Sequence, residues 1–149
     1  MPRHEETKIL PHHADEMFSL VADIGSYPEF LPWTAAARVR SRKAIERGEV
    51  LEADLVISFK VFREKFGSRV TLLPQDRRIE TEYLDGPFKH LKSVWLFHDH
   101  AQGCEVSFVV DFEFRNAILA GVIGLVFNEA MQRVVRAFEA RADALFTRL

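Results

Sequence analysis

Hydrophobic and polar residues change period three times along this chain, and each change marks an element. Glu6 to Leu10 is a short strand candidate that Pro11 ends. Met17, Phe18, Leu20, Val21 and Ile24 then recur at helical spacing behind Ala14, Asp15 and Glu16, and Gly25-Ser26 stops that helix. The segment Tyr27-Pro28-Glu29-Phe30-Leu31-Pro32-Trp33 is a compact aromatic-proline turn. From Ala35 the period becomes two. Val39, Ser41, Lys43 and Ile45 alternate with Arg38, Arg40 and Arg42. Leu51, Ala53, Leu55, Ile57, Phe59 and Val61 then alternate with Glu52, Asp54, Ser58 and Lys60. If the odd positions of both strands face inward, a three-residue loop Glu46–Gly48 is required, with Gly48 in the left-handed conformation. That register sets Arg42 opposite Glu52 and Arg40 opposite Asp54.

Four more strands are expected: Glu64 to Leu73, Arg77 to Leu84, Phe88 to His98 and Cys104 to Phe114. Pro74-Gln75-Asp76, Asp85-Gly86-Pro87 and Ala101-Gln102-Gly103 separate them. Asn116 can cap a final helix that runs to about Arg148. The order is strand, two helical elements, six strands, long helix. Hairpin-linked strands pair antiparallel, and one long helix must cover the apolar concave face. The expected fold class is α+β. It is a helix grip, with a curved antiparallel sheet of about seven strands wrapped around a long C-terminal helix, in one domain over 1–149.

The helix opens with AILAGVIGLVF, Ala117 to Phe127, which carries no charge. Eleven helical residues rise roughly 16 Å, and a spanning helix needs about 20 apolar residues. This stretch does not cross a membrane. Gly121 and Gly124 each cost about 1 kcal/mol in a helix relative to Ala. Either close helix–sheet packing or room for a ligand or gate offsets that cost.

Composition narrows the function. The 149 residues carry a net charge of −2, which argues against a protein held on nucleic acid by bulk charge. Thirteen Phe against two Tyr suit an apolar core or an apolar pocket. Single Cys104 permits no internal disulfide. The start MPRHEETKILPHHADEM has no apolar signal core, so a cytoplasmic bacterial protein is expected.

Three motifs carry a family resemblance. YPEFLPW after the first helix, Phe66-Gly67-Ser68-Arg69-Val70 followed by Pro74 and Ile79, and GPFKHLKSVWLF from Gly86 to Phe97 resemble coenzyme Q-binding, START-like proteins of the polyketide cyclase/dehydrase superfamily. The match in order and spacing runs from about Glu5 to Phe146. The resemblance implies a hydrophobic cavity for ubiquinone or a similar isoprenoid quinone. The quinone is a bound ligand rather than a catalytic cofactor, and the role is delivery or chaperoning for respiration or quinone biosynthesis. One branch of the family is described as a toxin that blocks ribosomal subunit association, so the ribosome is the alternative partner. A cyclase or dehydratase is the third reading, and it needs an acid–base pair inside the pocket.

Candidate ligand-binding residues follow from the apolar faces and the turn: Tyr27, Phe30, Leu31, Trp33, Leu55, Phe59, Phe66, Val70, Leu91, Trp95, Phe97, Phe108, Phe112, Ile123, Phe127 and Met131. Ser93, Tyr83, Trp95 and Arg69 are the candidate donors to a quinone carbonyl, and the parity of Arg69 places it on the solvated face. No catalytic residue or metal ligand is assigned. His98-Asp99-His100 reads as an exposed hairpin end and His12-His13 as a loop pair. The mouth is expected between Ala117–Phe127 and the YPEFLPW turn. Lipid at the inner face of the membrane, a respiratory or biosynthetic complex, or a second copy of the chain would meet it there.

Overall fold

The computed structural model describes residues 3–59 and 62–149; the side chains of Phe59, Phe62, Leu119, Ile123 and Val126 lie outside the described set. The elements in order are β1 (Arg3–Leu10), α1 (Ala14–Ala22), a 3-10 turn (Ile24–Glu29), β2 (Thr34–Ile45), β3 (Gly48–Phe59), β4 (Phe62–Leu73), β5 (Arg78–Asp85), β6 (Phe88–His100), β7 (Gly103–Phe114) and α2 (Ala117–Leu145). All seven strands form one antiparallel sheet in the order β1-β7-β6-β5-β4-β3-β2. Strands β2 to β7 meander, and β1 closes onto β7, so β1 and β2 are the edges. The fold is the START-like helix grip.

Local chemistry explains the helix ends. The backbone N–H of His13 donates to Glu16 Oε1 at 3.1 Å, half of a capping box, and Asp15 and Glu16 sit in the first turn, where acids suit the helix dipole. Asn116 caps α2: the N–H of Ile118 donates to Asn116 Oδ1 at 2.9 Å, and the N–H of Ala120 to the Asn116 carbonyl. The helix stops at Leu145, three residues before the expected end. Gly103 has φ +136°, and a Cβ there would sit 2.1 Å from the Leu10 carbonyl oxygen, so this turn admits only glycine.

The hairpin β2–β3 differs from the expected register. Its turn has two residues, Glu46 and Arg47, and Ile45 pairs with Gly48. The strands pair Arg38 with Asp54 and Val39 with Ala53, then slip so that Ser41 faces Glu52. Arg40 is the extra residue in a bulge. It reverses the parity of everything after it, which turns Ser41, Lys43 and Ile45 outward. Gly48 does not adopt a left-handed conformation. A Cβ there would lie 1.9 Å from the Leu72 carbonyl oxygen, so its role is close approach to β4. Arg40 still reaches Asp54 at 3.3 Å, whereas Arg42 pairs with Glu49 at 3.1 Å and Glu52 lies 3.7 Å from Arg69.

The two faces of the sheet have opposite chemistry. Inward residues include Leu51, Ala53, Phe66, Val70, Ile79, Trp95, Phe97, Phe108, Val110 and Phe112, all buried. On the outer face, one row pairs Glu52 with Arg69, Arg69 with Glu82, Glu82 with Lys92, Lys92 with Asp111 and Asp111 with Arg3. Charge alternates along the whole row. Such exposed pairs contribute little stability, but they leave that row electrically balanced.

Helix α2 grips the inner face through Phe127, Val135, Phe138 and Ala142, all buried. Phe138 meets Trp95, Tyr27 and Phe30 at ring-centroid distances of 5.1, 5.5 and 5.3 Å. Fully burying such a ring contributes roughly 2–3 kcal/mol.

His12 and His13 lie in the loop between β1 and α1 as expected, but only His13 is exposed. His12 is buried (1% exposed), and its Nε2 lies 2.8 Å from Asp143 Oδ1 on α2. The N–H of Leu149 donates to the Pro11 carbonyl at 2.8 Å, so the C-terminal residues lie beside the same loop.

Candidate ligand cavity

Between the sheet and α2 lies a partly open cavity of about 300 Å³. That is the lower end of the range for small-molecule sites. Its floor is the inner face of β5, β6 and β7, with Thr81, Leu91, Ser93, Trp95, Phe108, Val110, Phe112 and Phe114. Phe127, Ala130, Met131, Val134 and Phe138 of α2 form the roof. Tyr27 and Leu31 to Thr34 close one side, facing Leu55 and Ile57 of β3. Among the described residues the lining includes no Asp, Glu, Lys, Arg or His.

Period-two alternation aims the floor residues inward, and aromatic contacts fix them. Trp95 stacks on Phe108 at 4.2 Å, and Phe112 meets Phe127 edge-on at 5.1 Å. The side wall is held by the turn. Trp33 has φ +62°, an unusual conformation for a bulky residue that costs about 1–3 kcal/mol, and its carbonyl accepts the Ser58 N–H at 2.8 Å. The Tyr27 hydroxyl donates to the Val21 carbonyl, which pins the turn to α1. Desolvation, helped by nearby Asp23, raises the pKa of that phenol, so it stays protonated.

Of the expected ligand-binding residues, Tyr27, Leu31, Trp33, Leu55, Leu91, Trp95, Phe108, Phe112, Phe127 and Met131 line this cavity. Phe30, Phe66, Val70 and Phe97 do not. Phe30 packs beneath Phe138 with the Arg141 guanidinium 5.2 Å above its ring. Phe66 packs on Phe88, and Val70 is core. Phe97 is sealed under Phe18 of α1 at 5.9 Å. The side chains of Phe59 and Ile123 lie outside the described residues. Residues missed include Thr81, Phe88 and Phe138. Thr81 was findable, because it shares parity with inward Ile79.

The YPEFLPW turn lines the cavity, but of the described side chains in Ala117–Phe127 only Phe127 does. Ile118 and Leu125 are 76% and 88% exposed. A Cβ on Gly121 or Gly124 would meet nothing within 4 Å, so close packing does not explain either glycine. No helix among the described residues is long and apolar enough to cross a membrane.

Of the candidate head-group donors, Ser93 lines the cavity. Trp95 lines it too, as an aromatic wall. Tyr83 is turned to the backbone, where its hydroxyl accepts the Phe88 N–H at 3.2 Å. Arg69 is on the outer face beside Glu52. Asp99 pairs with Arg77 at 2.6 Å, and His100 Nδ1 accepts the Gln102 N–H. Among the described residues no cluster of three His, Cys, Asp or Glu could hold a metal ion. Cys104 is buried, and burial pushes its thiol up to about 11.

One inward acid–base pair does exist. His4 Nε2 and Glu6 Oε2 lie 3.2 Å apart on the inner face of β1. Lys8, beside them, reaches Glu139 of α2 at 2.6 Å. The His4 ring packs on Phe108 and Phe127, at 6.4 and 6.3 Å. Those two rings line the cavity; neither His4 nor Glu6 does.

Residues 10–139 match the family model described as polyketide cyclase / dehydrase and lipid transport. The chain belongs to this family. It is 42% identical over 141 residues to a Rickettsia prowazekii protein named ribosome association toxin RatA, covering 93% of this chain and 94% of that one. It is 30% identical over 150 residues to the mitochondrial coenzyme Q-binding protein COQ10 homolog B of Xenopus laevis, covering 97% of this chain and 59% of the relative. Among solved structures, an 18 kDa Caulobacter crescentus protein superposes with a TM-score of 0.82 at 34% identity, over 97% of this chain and 98% of that one. A START superfamily protein from Mycobacterium smegmatis superposes at 0.81 with 17% identity, over 97% and 99%, which bears on the fold alone.

Proposed function

We propose that this protein binds a neutral lipid quinone, of the ubiquinone type, between its sheet and α2 and carries it without chemical change. The observation behind this reading is the uncharged lining. A buried ionised head group would need a counter-charge there, whereas an isoprenoid tail gains roughly 0.8 kcal/mol per buried CH₂. The similarity to a coenzyme Q-binding protein supports the same ligand class. The His4–Glu6 pair does not alter the non-catalytic reading, because neither residue lines the cavity, whereas Phe108 and Phe127, the rings beside His4, do. The test is organic extraction of protein purified from its native host, followed by mass spectrometry. Co-purified quinone is expected. Repeated recovery of none, together with no saturable quinone binding, would falsify the proposal.

A second reading is favoured by the 42% identity to a protein named as a ribosome association toxin. It makes the ribosome the partner. The alternating charge row on the outer sheet face offers such a partner no run of basic residues, which weakens RNA contact along that row. Ribosome profiles after overexpression discriminate: a fall in joined ribosomes supports this reading, and an unchanged profile removes it.

A further inference from the structure

The cavity floor holds two hydroxyls where the pattern around them is apolar. Thr81 on β5 and Ser93 on β6 are direct register partners on the inner face. Their row continues to Val70 on one side and Val110 on the other. They sit on the central strands of the sheet, yet both are only half-buried, because the space above them is cavity. Neither hydroxyl makes a side-chain hydrogen bond among the described residues. The other lining hydroxyls differ. Tyr27 gives its proton to the Val21 carbonyl, and Thr34 gives its own to the Pro32 carbonyl at 3.5 Å.

We infer that Thr81 and Ser93 form the head-group subsite of this cavity, both hydroxyls donating to one uncharged oxygen acceptor, a ring carbonyl, on an apolar-tailed ligand. Cross-strand partners hold their Cβ atoms about 4.5–5.5 Å apart, a separation from which two hydroxyls can converge on one oxygen at about 2.7–2.8 Å each. A carbonyl oxygen has two lone pairs and accepts both. A carboxylate or phosphate would find no cation in the lining. The same placement orients the ligand. The head lies on the floor at β5 and β6, and the tail meets the apolar remainder of the lining. The inference rests on the proposed lipid-binding function and adds the recognition element.

The test compares two probes that share a ten-carbon tail, decylubiquinone and decylbenzene, on the full chain. The double variant Thr81→Val, Ser93→Ala removes both hydroxyls with little change of shape. It should bind decylubiquinone about tenfold more weakly and decylbenzene within about twofold of wild type. Thr81→Ser keeps a donor and should retain quinone affinity. If the double variant does not fold, each single variant should still weaken decylubiquinone alone, by about threefold. Equal losses for both probes, or no loss for either, overturn the subsite. In both of those cases wild type still binds, so the cavity reading survives. Wild-type protein that binds neither probe overturns the subsite and the cavity reading together.

Discussion

The two halves of α2 belong to one helix and meet different surroundings. From Asn128 to Leu145 the helix is fixed by packing and by charge. Val135, Phe138 and Ala142 are buried, Lys8 holds Glu139 at 2.6 Å, Arg141 reaches Glu29 at 3.3 Å, and Asp143 meets buried His12. From Ala117 to Phe127 there is no charge to pair, Ile118 and Leu125 face outward, and two glycines have open space beside them. The grip is therefore anchored at its C-terminal half, and the cavity lies along the helix from Phe127 to Phe138. Helix stability here comes from tertiary anchors rather than from propensity, as expected for a helix whose first three turns include two Gly, two Val and two Ile.

Substitutions should separate the halves by size and then by sign. Phe138→Ala removes the ring that joins α2 to Trp95, Tyr27 and Phe30, and should destabilise by about 3–5 kcal/mol in denaturant titration. A smaller loss is expected for His12→Ala, about 2 kcal/mol, from its cavity and the lost bond to Asp143.

The same bond gives an acid signature. The hydrogen bond from His12, with Arg148 adding, holds the Asp143 carboxyl below its ordinary pKa. Its contribution is complete above the unfolded value of about 3.9 and is lost as pH falls through the lower folded value. Melting temperatures between pH 6 and pH 2 should fall less steeply for Asp143→Asn than for wild type.

In the other half, Gly121→Ala and Gly124→Ala should stabilise, by about 0.5–1 kcal/mol each, because the added methyl meets nothing. Destabilisation by either would mean that the first three turns are packed as tightly as the rest. Leu125→Ser, at an 88% exposed position, should change stability by less than about 0.5 kcal/mol.

Much of this arrangement was legible in the sequence. The run Leu91, Ser93, Trp95, Phe97 and the run Phe108, Val110, Phe112, Phe114 alternate cleanly, because one face is apolar and the other solvated. Three features were not legible, each for a physical reason. The bulge at Arg40 falls in a stretch polar on both sides, where a parity change leaves no trace in the pattern. The inner face of β1 is His4, Glu6 and Lys8, so a hydrophobicity rule leaves that face unassigned until Glu139 of α2 is seen against it. His12 is buried by a partner 131 residues away. The candidate site divides in the same way. Periodicity places Phe97 and Phe108 on the same inner surface, but only the position of α1 decides that Phe97 is sealed core while Phe108 faces space.

Both tryptophans of the chain, Trp33 and Trp95, line the cavity, so intrinsic fluorescence reports on its contents. The most direct measurement is a decylubiquinone titration of wild type and of Val134→Phe, which puts a ring into the roof. Saturable one-to-one quenching is expected in wild type, and its loss in a folded Val134→Phe. Quenching that never saturates in wild type, or that saturates identically in both proteins, would contradict the cavity reading.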